Sequence, residues 1–428
     1  MAKRNLAVSG IVLLLMVSIL SVGCGKTQTD NGSGNGGTGG AATGELVFWA
    51  PFGGGDYEFM KQIVDAYNAT APDFTVELVS REWGTYYQGL NSALIASSGP
   101  DFFIAHQSKL AELIPTEKLQ DVRQIESDVD WSTYMEAQVD AVTFEGVQYA
   151  VPLDTHAMVL FYNKDILERA GVSEQDLSGV NGIEGWNAIL DKISKVVSAD
   201  EHVLDIANSG ANTVQQFWAW YVLNAQAGGS YIEGDEAVLN GEAGVQAMDI
   251  MNGWAAEGYL KKGIDDASSY DIFKSGKAAL NFTGVWATGN YETNPDLNFG
   301  VMPIPAIAGE QKTWGDSHTF AIPTYIDGNR KEAALAFVDW ANENAVTWAK
   351  AGHVPVKKTV LASEEYLAMP YRSDYMEVLN QVEYYPVTDM LGAANDLAMI
   401  KINESFLGKY AAKEALDKAK EEIDNLLR

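Results

Sequence analysis

Residues Glu45–Phe52 read ELVFWAPF, and Gly53–Pro72 read GGGDYEFMKQIVDAYNATAP. The first stretch is a short apolar run rich in β-branched and aromatic side chains, the pattern of a buried strand. Gly53–Asp56 breaks it. Phe59, Ile63, Val64 and Tyr67 then recur at helical spacing until Pro72 stops the helix. The alternation continues: FTVELVSRE (Phe74–Glu82) repeats the strand pattern, TYYQGLNSALIASSG (Thr85–Gly99) the helical one, and PDFFIAH (Pro100–His106) is a third strand. Strands alternating with helices imply a parallel α/β sheet with helices on both faces. Ligands of such sheets sit beyond the carboxyl ends of the strands. That rule selects Trp49, Phe52 and Asp56 around the first turn, Trp83 after the second strand, and His106 with Gln107 after the third.

The pattern changes at YAVPLDTHAMVLFYNKDILERAGV, Tyr149–Val172. Pro152 interrupts one strand and Ala157–Tyr162 forms another. Asn163 is placed to cap the following helix and Gly171 to end it in a left-handed turn. A crossing between two lobes is expected near Val151–Thr155. Further on, GWNAILDKISKVV (Gly185–Val197) is an amphipathic helix and TVQQFWAWYVLNAQAGG (Thr213–Gly229) a largely buried one. KAALNFTGVWATGNY (Lys277–Tyr291) is a strand turning at Gly284 into a helix. FGVMPIPAIAG (Phe299–Gly309) and WGDSHTFAIP (Trp314–Pro323) contain further strands, and the tail from about Asp389 is helical. No internal repeat is present.

Composition narrows the function. Hydrophobic residues make up 47% of the 428 and charged residues 20%, ordinary for a chain with a packed core. A net charge of −29 argues against nucleic acid, whose phosphates require clustered Lys and Arg. The sole cysteine is Cys24, which leaves no intrachain disulfide and no thiolate metal site. The five histidines show no HExxH or similar metal-ligand spacing, so neither metal nor cofactor is expected. Eleven Trp, 19 Tyr and 15 Phe amount to 11% of the chain, several of them in loop-like contexts.

Cys24 closes a distinctive N-terminus. Lys3 and Arg4 precede an apolar run from about Leu6 to Leu20, and LSVGC (Leu20–Cys24) follows. At about 15 residues the run is shorter than the ~20 that span a bilayer, which fits a secretory signal core. It resembles the bacterial lipoprotein signal: residues 1–23 would be removed and Cys24 would carry lipid. A secretion signal with an incidental cysteine is the alternative. Residues 24–44, rich in Gly, Ser and Thr, read as a flexible lipid-anchored linker.

From about Leu46 to the C-terminus the chain resembles the extracellular solute-binding proteins of ABC transporters, in the sugar-binding branch that includes maltose-binding protein. The matching stretches include VFWAPF, SSGPDFFIAH, VPLDTHAMVLFYNKDIL, AALNFTGVWATGNY, FGVMPIPAIAG, GHVPV and GKYAAKEALDKA; FYNKD and GVWATGNY are the most specific. The resemblance implies a two-lobe periplasmic-binding-protein-like α/β fold (type II) whose cleft grips a solute. It places one lobe at 45–153 plus 318–360 and the other at 154–317 plus 361–428. It further implies a monomer held at the extracellular face of the membrane, with ABC permease subunits as partners and no catalysis.

Sugars need flat aromatic surfaces and groups that both donate and accept hydrogen bonds. Trp286, in GVWATGNY, matches the position where the family's sugar binders stack a tryptophan. Asp154 and His156 lie in the first crossing, with His156 standing where the family's cleft acid is usual. Ala105 replaces an aromatic of the maltose binder, so an identical maltodextrin stacking arrangement is not implied. The resemblance also implies that Gln215 and Trp218 fall in a region that often contributes to the second lobe's wall, that Trp314, Asp316 and His318 stand at the second crossing, and that Tyr384 of EYYP (Glu383–Pro386) is a further candidate. Each of these side chains also suits plain core packing. Three other functions remain open at this point: binding of a polyamine, peptide or other polar solute; secreted glycan cleavage, for which no nucleophile motif is present; and a lipid-anchored surface protein that senses or adheres without transport.

Overall fold

The opening strand is β1, Gly44–Ala50, and Gly54–Ala69 behind it is α1. The structure, a computed structural model, describes residues 44–209 and 213–428; the signal segment, Cys24 and the linker up to residue 43 lie outside the described residues. In chain order there follow β2 (Phe74–Ser80), α2 (Trp83–Ile95), β3 (Phe102–His106), β4 (Val151–Pro152), β5 (Asp154–Asn163) and α3 (Lys164–Ala170). The second half adds β6 (His202–Asp205), α4 (Val214–Gln226), β7 (Ala278–Gly284), β8 (Phe299–Met302), β9 (Thr313–Asp316), β10 (His318–Ala321), α5 (Gly328–Glu343), α6 (Val346–Ala349), β11 (Val354–Pro355), β12 (Val382–Glu383), α7 (Leu391–Phe406) and α8 (Ala412–Leu427).

Among the described residues two main sheets form, one in each lobe. The first has the order β2-β1-β3-β10-β4. Its β1 is parallel to β2 and β3, as the strand–helix alternation predicts, while β10 runs antiparallel to both β3 and β4. Its core joins Leu46, Phe48, Phe102, Ile104 and Phe320 to α1 and to Phe337 and Trp348. Phe48 stacks on Phe102 with centroids 4.6 Å apart.

The second sheet has the order β12-β9-β5-β7-β6, with β8 and β11 also paired to β5. It is not a parallel sheet: β5 is antiparallel to β7, β8, β9 and β11. All ten residues of β5 are buried. A strand covered on both faces carries no alternation, so periodicity could not show its direction. Its end is set locally. The Asn163 side-chain oxygen accepts from the N–H groups of Asp165 and Ile166 at 3.0 and 3.1 Å, and Gly171, at φ +63°, closes α3 in the left-handed conformation. The core of this lobe brings Trp186, Trp220, Trp254, Phe217 and Phe282 together with the inner faces of α7 and α8.

Three segments connect the sheets side by side. The chain leaves the first sheet after Pro152 and enters the second at Asp154, and it returns between Asp316 and His318. In the third segment Val354 and Pro355 pair with Thr155 and Asp154, while the Val356 carbonyl accepts from Met135 N–H in the first lobe. The lobes also meet on both flanks of these connections: Gly289 N–H donates to the Ala351 carbonyl at 3.0 Å, and Gly392 N–H to Glu112 Oε1 at 2.8 Å.

Candidate functional site

The connecting segments converge on Asp154, the first residue of β5, which is fully buried. A buried carboxylate persists only when it is amply hydrogen-bonded or paired. Its Oδ1 accepts from the His318 backbone N–H at 2.9 Å and lies 3.1 Å from His156 Nδ1. Its Oδ2 accepts from Trp348 Nε1–H at 2.6 Å, lies 2.7 Å from His318 Nδ1 and is 3.3 Å from His353 Nδ1. His353 lies flat on Trp348, centroids 4.4 Å apart, and its Nε2 is 3.2 Å from Asp56 Oδ1. Asp154, His318 and His353 thus come from the three different connections.

Burial disfavours ionisation of Asp154, yet the His318 and His353 imidazoles and the hydrogen bonds from His156 and His318 outweigh it, holding the carboxyl well below its ordinary value. Burial also lowers His353, but Asp56 and Asp154 overcome it and its pKa ends above the usual histidine value. His318 goes the other way, pushed down to about 4 by burial despite Asp154. His106 is held well below its ordinary value by burial and then by the neighbouring imidazoles.

Beside this polar knot lies a wall of rings. A run of edge-on contacts passes from Trp83 to His106 at 4.9 Å, from His106 to His156 at 5.6 Å, and from His156 to Trp286 at 5.7 Å, leading from the first lobe to the second. Trp83 is 39% exposed, which leaves much of its indole free to meet a solute. The Trp286 indole folds back over Gly284, where an added Cβ would lie 2.0 Å from the ring, so the GVW sequence requires that glycine for its close approach. Trp286 Nε1–H donates to the Tyr270 hydroxyl at 2.9 Å, and Gln215 Nε2 reaches the same oxygen at 3.0 Å. Trp218 stacks on Trp314 at 4.1 Å and meets Trp286 edge-on at 5.5 Å. Gln215 Oε1, Trp314 Nε1 and the Tyr385 hydroxyl on this side are buried without a partner in the protein.

The remaining candidates divide between the knot, the wall and neither. Asp56 serves His353, and Phe52 is buried with its ring 5.1 Å from His318 and 4.8 Å from Trp348. Asp316, raised by burial, accepts from the Ser108 hydroxyl and from the Ser108 and Ser317 N–H groups. Gln107 donates to the Ala141 carbonyl. Trp49 lies under Arg81, 3.9 Å from the guanidinium, in a groove of about 620 Å³ along α2 whose lining includes neither His106 nor any second-lobe residue. Tyr384 is partly exposed and its carbonyl accepts from Tyr221. Sequence reasoning did not single out His353, Trp348, Tyr270, Tyr87 or Ser108. His353 sits in the GHVPV stretch, but nothing in its spacing ties it to Asp154. Tyr87, whose hydroxyl lies 2.6 Å from His106 Nδ1, is one turn beyond Trp83 on α2, and that helical spacing could have found it.

Comparison with known proteins places this geometry. The arabinooligosaccharide-binding protein of Bacillus subtilis (strain 168) is 24% identical over 424 residues, covering 94% of this chain and 91% of that protein. Among solved structures, UgpB from Mycobacterium tuberculosis in complex with glycerophosphocholine superposes with a TM-score of 0.80 at 19% identity, and the GacH receptor of Streptomyces glaucescens with 0.79 at 19%. Each covers 90% of this chain and 98% of the solved one. The family model of the bacterial extracellular solute-binding proteins matches residues 53–348, and the chain belongs to that family.

Proposed function

We propose that the protein binds a sugar or oligosaccharide between its lobes and delivers it to the membrane permease of an ABC importer. The observation that carries this reading is the ring-lined wall from Trp83 to Trp286, set beside connections that a hinge motion can bend. Indole faces match the apolar C–H faces of pyranose and furanose rings, and the unpartnered groups at Gln215 and Trp314 match hydroxyls. The relative from Bacillus subtilis carries an arabinooligosaccharide-binding name, which supports the carbohydrate class. Solute contacts from both lobes favour the closed form by the difference in affinity between the two states. No step of this cycle calls for a catalytic group.

A polar solute of another kind is the second reading. The Trp286 indole, inclined to the stacked pair of Trp218 and Trp314, also suits a quaternary ammonium by cation–π attraction, and the neighbour UgpB was solved with glycerophosphocholine. A thermal-shift and calorimetric panel of arabino-, galacto- and malto-oligosaccharides beside glycerophosphocholine and spermidine separates the two. A saturating ligand at 100 times its Kd adds about 2.7 kcal/mol of stability. Response to a saccharide supports the first reading; response only to the ammonium compounds replaces it.

We also read Cys24 as the lipid attachment point that holds a monomer at the extracellular face, on the strength of the LSVGC ending and the small-residue linker. One acyl chain holds a protein only marginally, at ~0.8 kcal/mol per buried methylene, so stable anchoring needs more than one. Cys24→Ser is expected to move the protein from membrane to soluble fraction; retention in the membrane fraction would refute the anchor.

A further inference from the structure

The knot around Asp154 has a composition that hinge packing alone does not require. Four of the five histidines of the chain gather there, with ring centroids 4.4 Å apart for His156 and His318, 4.6 Å for His106 and His318, and 5.2 Å for His318 and His353. We infer that Asp154, His156, His318 and His353 form a binding site for a divalent transition metal of the zinc class, joining the three interlobe connections. The inference is independent of which solute the cleft takes.

Geometry supports it first. One ligand atom from each of the four residues lies within 4.8 Å of all the others. Tetrahedral zinc with bonds of about 2.0–2.1 Å sets its ligand atoms about 3.4 Å apart. The carboxylate-to-imidazole distances of 2.7, 3.1 and 3.3 Å, taken from both oxygens of Asp154, fall just below that value, and a pair at the 4.8 Å limit needs to draw in by about 1.4 Å. One carboxylate with three imidazoles is a hard-to-borderline N₃O set that zinc, cobalt, nickel and copper accept, whereas calcium and magnesium ask for oxygen.

The second observation is His353. It is fully buried, and its Nδ1 has no hydrogen-bond partner although it points at the cluster, 3.3 Å from Asp154 Oδ2. An orphaned buried imidazole nitrogen is uncommon and calls for a reason. Its other nitrogen faces Asp56, an arrangement in which a carboxylate fixes the tautomer of a metal-bound histidine and raises its basicity. Trp348 Nε1–H and the His318 N–H orient the carboxylate of Asp154 in the same supporting way. On binding, the imidazole Nδ1 positions of His156 and His318 give up any proton they share with Asp154, which either passes to solvent or is replaced at Nε2 by tautomer exchange. The ion's two positive charges then face the two carboxylates Asp154 and Asp56.

The test is a metal titration of the full-length protein, purified without a polyhistidine tag, stripped with EDTA and kept free of sugar. ZnCl₂ should bind with about one equivalent per chain and remain after desalting, and CoCl₂ should give the visible absorption of a four-coordinate nitrogen–oxygen site. His353→Ala should abolish retention, and Asp56→Asn should weaken affinity by about 10–100-fold as loss of an outer partner does. His202→Ala, which removes the fifth histidine, should leave binding unchanged. Absence of retained zinc in the wild-type protein overturns the proposal whatever the variants do. Retained zinc that His353→Ala and His318→Gln both leave in place, with circular dichroism showing folded variants, also overturns it by assigning the metal to the surface. Should either variant misfold, the cobalt spectrum of the wild-type protein decides.

Discussion

The knot and the wall contain the same kinds of residue and use them in opposite ways. In the knot, Asp154 is surrounded by indole and imidazole groups and nothing of it reaches solvent. In the wall, Trp83 and Trp286 keep part of their rings free, and polar atoms such as Gln215 Oε1 remain without a partner. A carboxylate held by several donors at once makes a rigid element, whereas groups left largely unmet make a receptive one. Substitutions should therefore separate stability from affinity according to which of the two regions they touch.

The largest expected effect is at the centre of the knot. Asp154→Ala leaves the buried His318 and His353 without their carboxylate and should cost about 3–5 kcal/mol of stability, read by denaturant unfolding. A loss below 1 kcal/mol would break the contrast. Trp286→Ala should do the reverse: solute affinity falls by about 2 kcal/mol, roughly 30-fold, while the fold survives, as calorimetry with circular dichroism would show. Gly284→Ala should mimic it more weakly, at about tenfold, because the new methyl group displaces the indole from its seat over the strand. The smallest effect belongs to Trp83→Ala, which should change stability by no more than ~0.5 kcal/mol and affinity by about 1 kcal/mol. If Trp83→Ala destabilises the protein instead, that residue is packing and the wall begins at His106.

Much of the fold was legible because its signals are local. Gly53 and Pro72 punctuate β1, α1 and β2 within a few residues of each boundary, and Asn163 and Gly171 mark both ends of α3. The direction of β5 was not legible, since a strand buried on both faces looks the same whichever way its neighbours run. The ring wall was readable in part: Trp286, Trp218, His156 and His106 come together as rings, and Gly284 beside Trp286 carries a close-approach signal. Asp56, Asp154, Trp348 and His353 meet only because three connections pass one point, and those residues are separated by up to 297 positions. No spacing rule acts over that distance, so the histidines looked scattered. Phe52 and Trp314 show a second limit of local pattern. Both are aromatic residues near strand ends, yet they are buried, and burial depends on neighbours the local pattern does not contain.

The adjacency of the three connections has a mechanical consequence. Strands hydrogen-bonded to one another at Pro152–Thr319 and Asp154–Pro355 cannot slide independently without breaking those pairings. Bending about their common line is the soft coordinate that remains, and translation of one half past the other is stiff. Occupancy is thereby converted into a single angle, the kind of signal a membrane-embedded receiver can sense from outside without touching the cargo.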